Sequence, residues 1–161
     1  MTADEVRDKI ESGWRELDTL ARSLDAEGLS LPRSPDGWAV KDHLVHVAAW
    51  EQWLIALFEH RDKLAAMGAG DANREIDDVN AVVYENHRDD SVDDAMRYYR
   101  ESHEQLTRSL RDLSTEDFER PYKTFFDPGK ESDEQPVLVA VGANTYEHYA
   151  EHVAWIKEQL G

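Results

Sequence analysis

The chain has 161 residues, with 35 acidic against 18 basic side chains, a formal net charge of -17 and no cysteine. The lack of cysteine excludes disulfides, thiolate metal ligands and a cysteine nucleophile, so any thiol chemistry would need an external thiol. The charge opposes contact with a phosphate backbone or an anionic membrane, so neither nucleic acid nor membrane is an expected partner, and the acidity reads as a solvated face.

The length suits one domain, residues 1–161, around one core. MTADEVRDKI lacks the apolar centre of a signal peptide and no run of eighteen apolar residues follows, which predicts a soluble, cytoplasmic protein. Thr2 with Glu5 makes a capping-box pattern, and Val6, Ile10, Trp14, Leu17, Leu20 and Leu24 continue it at helical spacing. EGLSLPRSPDGW then punctuates the chain, and AVKDHLVHVAAWEQWLIALFEHRDKLAAM reads as one long, aromatic-rich second helix that Gly68 and Gly70 stop. Residues 69–90 are polar and read as loop, within which DDVNAVVYENH can form a short helix. Ser91 caps a third helix whose stripe is Val92, Met96, Tyr99, His103, Leu106, Leu110 and Leu113, near which it ends. Pro121, Pro128, Gly129 and Pro136 forbid a continuous helix over 114–136, and a final helix is expected from Val137 to Leu160. Four amphipathic helices without alternating strands predict an all-α four-helix bundle. Both later connections exceed twenty residues. At about 3.3 Å per residue, either can cross a bundle some 35 Å long, so simple up-down-up-down order is not required.

The chemistry-bearing residues are histidines. In NTYEHYAEHVAW, His148 and His152 stand four apart, on one helical face with Val141, Thr145 and Trp155. An isolated HxxxH fits two hydrogen-bonded or exposed histidines as well as a metal clamp. Tyr149 stands where HExxH peptidases carry their general base, which disfavours that chemistry. On the second helix His46 shares a stripe with His43, Trp50, Trp53 and Leu57, and a core histidine bonded to a carbonyl would also explain it. Register tests convergence: at about 1.5 Å per residue, the levels of His46 and of the pair differ by roughly 6 Å if helices two and four are antiparallel, and roughly 11 Å if parallel. Three neutral imidazoles with a vacant position suit zinc, nickel, iron or copper, and an ion there would activate water or an incoming thiol. His43 substitutes for His46 if the register is off by a turn. His103 sits on the inner stripe of helix three as a candidate cavity residue or a satisfied core histidine. His60 and His87 are expected at the surface, and Asn144, one turn before His148, is a candidate to orient a ligand or water.

DGWAVKDHLVHVAAW and NTYEHYAEHVAWI together resemble the DinB/YfiT-like superfamily, whose members are read as metalloenzymes, and the resemblance covers nearly the whole chain. DVNAVVYENHRDDS and the Trp-rich second helix are similar to its ClbS/DfsB-like four-helix branch. The resemblance implies a divalent metal (zinc, nickel, iron or manganese) on His46, His148 and His152, an up-down-down-up bundle with long crossover connections, and a homodimer. It further implies either a metal-dependent hydrolase or a thiol-dependent transferase acting on a small electrophile, the latter with an external low-molecular-weight thiol. Trp50, Trp53 and Trp155, with His103 and Asn144, are then the expected substrate-binding wall. Two alternatives stand beside that reading: a metal-free hydrolase of the ClbS-like kind, and a non-enzymatic small-molecule-binding or structural dimeric bundle.

Overall fold

The computed structural model describes residues 1–32, 34–125 and 134–161, and every extended element among them is helical. Helix α1 (Ala3–Arg22) starts at the expected capping box, with Thr2 Oγ1 accepting from Glu5 N (3.2 Å) and Glu5 accepting from Thr2 N (2.6 Å). A short α2 (Ala26–Ser30) capped by Asp25 leads to α3 (Val40–Phe58). Val40 to Ala49 are all buried, which makes α3 the central helix of the molecule. Its start is pinned by two buried charges: Asp42 accepts from Ala39 N (2.8 Å), and Lys41 Nζ donates to the Arg88 carbonyl (2.8 Å).

The second helix does not run on to Gly68. It ends at Phe58 because His60 adopts φ +54°, and the amides of His60 and Arg61 turn back onto the carbonyls of Leu57 and Ala56. That is a Schellman stop with histidine in the left-handed position that glycine usually fills. After it come α4 (Lys63–Ala66) and α5 (Ile76–His87), the latter formed by the predicted DDVNAVVYENH segment. Ser91 caps α6 (Val92–Leu110) as expected, and α7 (Thr115–Glu119) and a 3-10 turn (Tyr122–Phe125) follow. Pro128 and Gly129 lie outside the described residues. Around them, Tyr122 N bonds Gln135 O (2.7 Å) and Val137 N bonds Arg120 O (2.8 Å), which brings both ends of the connection together.

The last helix is two helices, α8 (Leu138–Asn144) and α9 (Tyr146–Leu160). The break falls at Thr145, whose hydroxyl donates to Val141 O (2.6 Å). A Cβ at Gly142 would come within 2.7 Å of the Tyr146 hydroxyl oxygen, so glycine there lets the Tyr146 ring fold back against α8.

Contacts between helices fix their directions. Lys9 meets Tyr146 and Lys157 meets Glu16, so α1 and α9 run parallel. Ser102 bonds Ala48 O and Gln52 bonds Gln105, so α3 and α6 are parallel as well. Arg7 reaches the carbonyls of Leu110 and Leu113 while Trp14 stacks on Tyr99, setting α1 against α6. His43 meets Gln159 and His46 meets His148, so α3 and α9 are antiparallel. The order is up-down-down-up, with α4 and α5 riding in the long crossover. Val79 and Val83 of α5 pack on Val45 and Ala49 in a side cluster, while the main core gathers Val6, Leu17, Leu44, Leu54, Leu106 and Ile156. No helix among the described residues is long and apolar enough to cross a membrane.

Candidate metal centre

The antiparallel packing of α3 and α9 brings the three expected histidines together. His46 Nε2 lies 3.2 Å from His148 Nε2, which in turn lies 3.1 Å from His152 Nε2. One nitrogen from each ring falls inside a sphere with mutual distances under 4.8 Å. Tetrahedral ligands on an ion at about 2.05 Å would be about 3.3 Å apart, so these separations fit a shared divalent ion with little adjustment. Their protonation suits that role. Burial, then His148 and His43, pushes His46 down to about 3, and burial pushes His148 down to about 4. His152 is driven well below the usual range by burial and by the other imidazoles. At neutral pH all three rings are neutral, the form that ligates.

His43 does not replace His46; it stands behind His152. His43 Nε2 lies 2.9 Å from Gln159 Oε1, and His43 Nδ1 lies 2.9 Å from His152 Nδ1. With the amide oxygen accepting from His43 Nε2–H, His43 Nδ1 accepts from His152 Nδ1–H, which leaves the His152 Nε2 lone pair facing His148. A metal-bound histidine whose other nitrogen is held in this way is oriented before any ion arrives. The Gln159 amide in turn reaches the Trp38 carbonyl (3.4 Å). By contrast, Nδ1 of His46 and of His148 are closed off from solvent without a partner. The outer support of the site is therefore one-sided.

Above the three nitrogens opens a cavity of about 1150 Å³. Trp50, Trp53, Asn144 and Trp155 line it, as the sequence suggests. Trp50 Nε1 donates to Asn80 Oδ1 (2.9 Å), which ties that wall to α5. Trp155 is half-exposed at the mouth, edge-on to His152 at 4.9 Å. Asn144 spends its amide donor on Ala140 O (2.8 Å) and makes no bond to His148. The sequence reading missed Trp38, which lines the cavity, lies 5.4 Å from His46 and stacks flat on Tyr84. Its place in DGW, just ahead of the His46 helix, was the available signal.

His103 is not part of this wall. It faces α1, stacked on Trp14 at 4.1 Å, with Nδ1 3.0 Å from Glu51 Oε2 and Nε2 3.0 Å from Glu11 Oε2. Glu51, fully buried, also accepts from the Tyr149 hydroxyl (2.7 Å). Burial disfavours a charged His103, but the two carboxylates outweigh it and its pKa is raised. His60 is exposed and stacked on Phe125, whereas His87 is half-buried, paired with Asp90 and stacked on Tyr98, rather than at the surface.

A family model described as the DinB superfamily matches residues 9–158. No curated protein matches the sequence. Among solved structures, the chain is similar to one titled "Sibling Lethal Factor Precursor - DfsB", at 16% identity and TM-score 0.73, covering 98% of this chain and 94% of that one. It is also similar to a Streptococcus pneumoniae protein, at 12% identity and TM-score 0.79, covering 98% of this chain and 90% of that one. At such identities these likenesses speak for the fold alone.

Proposed function

The chain belongs to the DinB superfamily, and from that premise we propose that it is a divalent-metal protein whose ion is held by Nε2 of His46, His148 and His152. The observation that carries the proposal is the 3.2 Å separation of His46 Nε2 from His148 Nε2, across two helices and about a hundred residues of sequence, beside the 3.1 Å separation of His148 Nε2 from His152 Nε2 one turn along the same helix. A bound zinc, nickel, iron or manganese ion supplies Lewis acidity, which acidifies water or a thiol and polarises a carbonyl. The remaining work falls to the chain: three imidazoles kept neutral by burial, His43 and Gln159 holding His152 in the ligating tautomer, and tryptophan walls that keep bulk water from a small electrophile. We read the chemistry as metal-dependent hydrolysis or thiol transfer. Because the sequence has no cysteine, a thiol would come from outside. The convergence of three lone-pair nitrogens argues against the metal-free, ClbS-like reading.

Protein purified without a histidine tag should hold or take up about one divalent ion per chain, and His148→Ala should abolish uptake. If zinc, nickel, iron and manganese all fail to bind, the proposal is lost. Added low-molecular-weight thiol should shift the absorption of the cobalt-substituted protein; an unchanged spectrum assigns the attacking group to water. The matching expectation of a homodimer is read by sedimentation, as one species at twice the chain mass.

A further inference from the structure

The cavity wall carries a second pattern that the metal ligands do not explain. On α9, Glu151, Trp155 and Glu158 form one stripe along its mouth, so a carboxylate stands one turn before and one turn after the indole, about 6 and 4.5 Å away along the axis. All three are exposed, and neither carboxylate has a hydrogen bond or ion pair among the described residues. The third acid of the wall, Asp36, is engaged by the Ser34 hydroxyl and Trp38 N, so it is part of the loop's own structure. Across the whole chain one basic residue accompanies about every two acidic ones, yet among the described residues the wall contains no lysine or arginine. Four of the five tryptophans face the same space: Trp38, Trp50, Trp53 and Trp155.

We propose that the cavity takes an organic cation bearing a ring: its charged nitrogen sits over Trp155 between Glu151 and Glu158, and its uncharged end points down past Trp50 and Trp53 toward the histidines. Indole faces attract cations through their quadrupole, and unpaired carboxylates on both sides add Coulomb attraction where anions are repelled. The floor is the wrong place for the charge. A divalent ion on the three imidazoles would repel it, and the unpaired carboxylates stand at the mouth, so the cationic group belongs there. An aromatic, mostly apolar interior with a few placed polar groups is the ordinary make-up of a small-molecule site. The inference deepens the metal reading by naming what enters the same cavity, yet the cage itself needs no ion.

The test compares three probes of similar shape by calorimetry on the full chain, metal-free and metal-loaded: benzyltrimethylammonium, its neutral carbon isostere neopentylbenzene, and benzylsulfonate. The cation should bind about tenfold more tightly than the neutral probe, and the sulfonate should not bind. Glu151→Gln with Glu158→Gln should erase the preference for charge while leaving helix content and metal stoichiometry unchanged, and Trp155→Leu should weaken the cation more than the neutral probe. Raising salt from 50 to 500 mM should weaken the cation alone. Equal affinity for cation and isostere, tighter binding of the sulfonate, or no binding of any probe overturns the proposal. A chain that binds no metal but keeps the cation preference sinks the metal reading and leaves this one standing.

Discussion

Two sets of buried histidines occupy the same bundle and are handled in opposite ways. At the cavity floor, His46, His148 and His152 have, among the described residues, one another and His43 as hydrogen-bonding company, and burial pushes their pKa values down. A few residues away, His103 lies between Glu51 and Glu11 and its pKa is raised. Burial is common to both, so the neighbours decide the outcome. Imidazoles facing imidazoles stay neutral and present lone pairs, whereas an imidazole facing carboxylates has its protonated form favoured and is tied into the scaffold.

The largest break in this comparison comes from removing one member of each set. His148→Ala should abolish metal uptake, read by metal content, while costing the metal-free protein less stability than loss of His103, since its Nδ1 has no partner and its Nε2 faces only neutral imidazoles. His103→Ala should do the reverse: metal binding stays, and urea unfolding shows a loss of about 3–5 kcal/mol, because Glu51 is left fully buried without its cationic neighbour, keeping the Tyr149 hydroxyl as donor. A His103→Ala protein as stable as the parent would sink the scaffold reading. Next in size is the outer support of the site. His43→Ala should weaken metal binding about 10–100-fold, and Gln159→Leu somewhat less, by calorimetric titration. Neither should change the one-ion stoichiometry.

The pH dependence sharpens the contrast through the signs of the slopes. For His46 and His148 the folded pKa lies below the unfolded value of 6.5, so the unfolded chain takes up protons first as pH falls. The metal-free protein should therefore lose stability from about pH 6.5 downward, through about pH 4 and 3. His103 has a folded pKa above 6.5, so its contribution is fully present below pH 6.5 and is lost as pH rises through the folded value. Thermal melts of metal-free protein across pH should show both arms, with His103→Gln lacking the alkaline one and His46→Gln flattening the acid one. Melts of the two variants that lose the same arm would break the distinction.

Much of this was legible in the sequence. Thr2 with Glu5 and Ser91 marked helix starts that depend only on local hydrogen bonds, and the spacing of His46, Trp50 and Trp53 marked one helix face. The convergence of His46 with His148 and His152 was also within reach, because antiparallel register is a matter of length. What escaped depended on distant packing. Nothing near Phe58 says that the helix stops there, since His60 takes a backbone conformation usually left to glycine and stacks on Phe125, far along the chain. The break at Thr145 rests on the fit of Tyr146 against Gly142. His103 lies inward as its stripe predicts, but an inner face in a bundle has several neighbours, and the topology set it between α1 and α3, off the cavity wall. Gln159 gave no signal because its partner, His43, is more than a hundred residues away.

The interruption at Thr145 puts the parts of the cavity on separate carriers. His148 and His152 ride on α9, where the spacing of one helical turn fixes their separation. Ala143 and Asn144, which form the adjoining wall, ride on α8. Substitutions in α8 can therefore reshape the wall while the donor register stays as it is. In evolutionary terms, descendants of this chain can change what they admit without having to rebuild the three-histidine cluster.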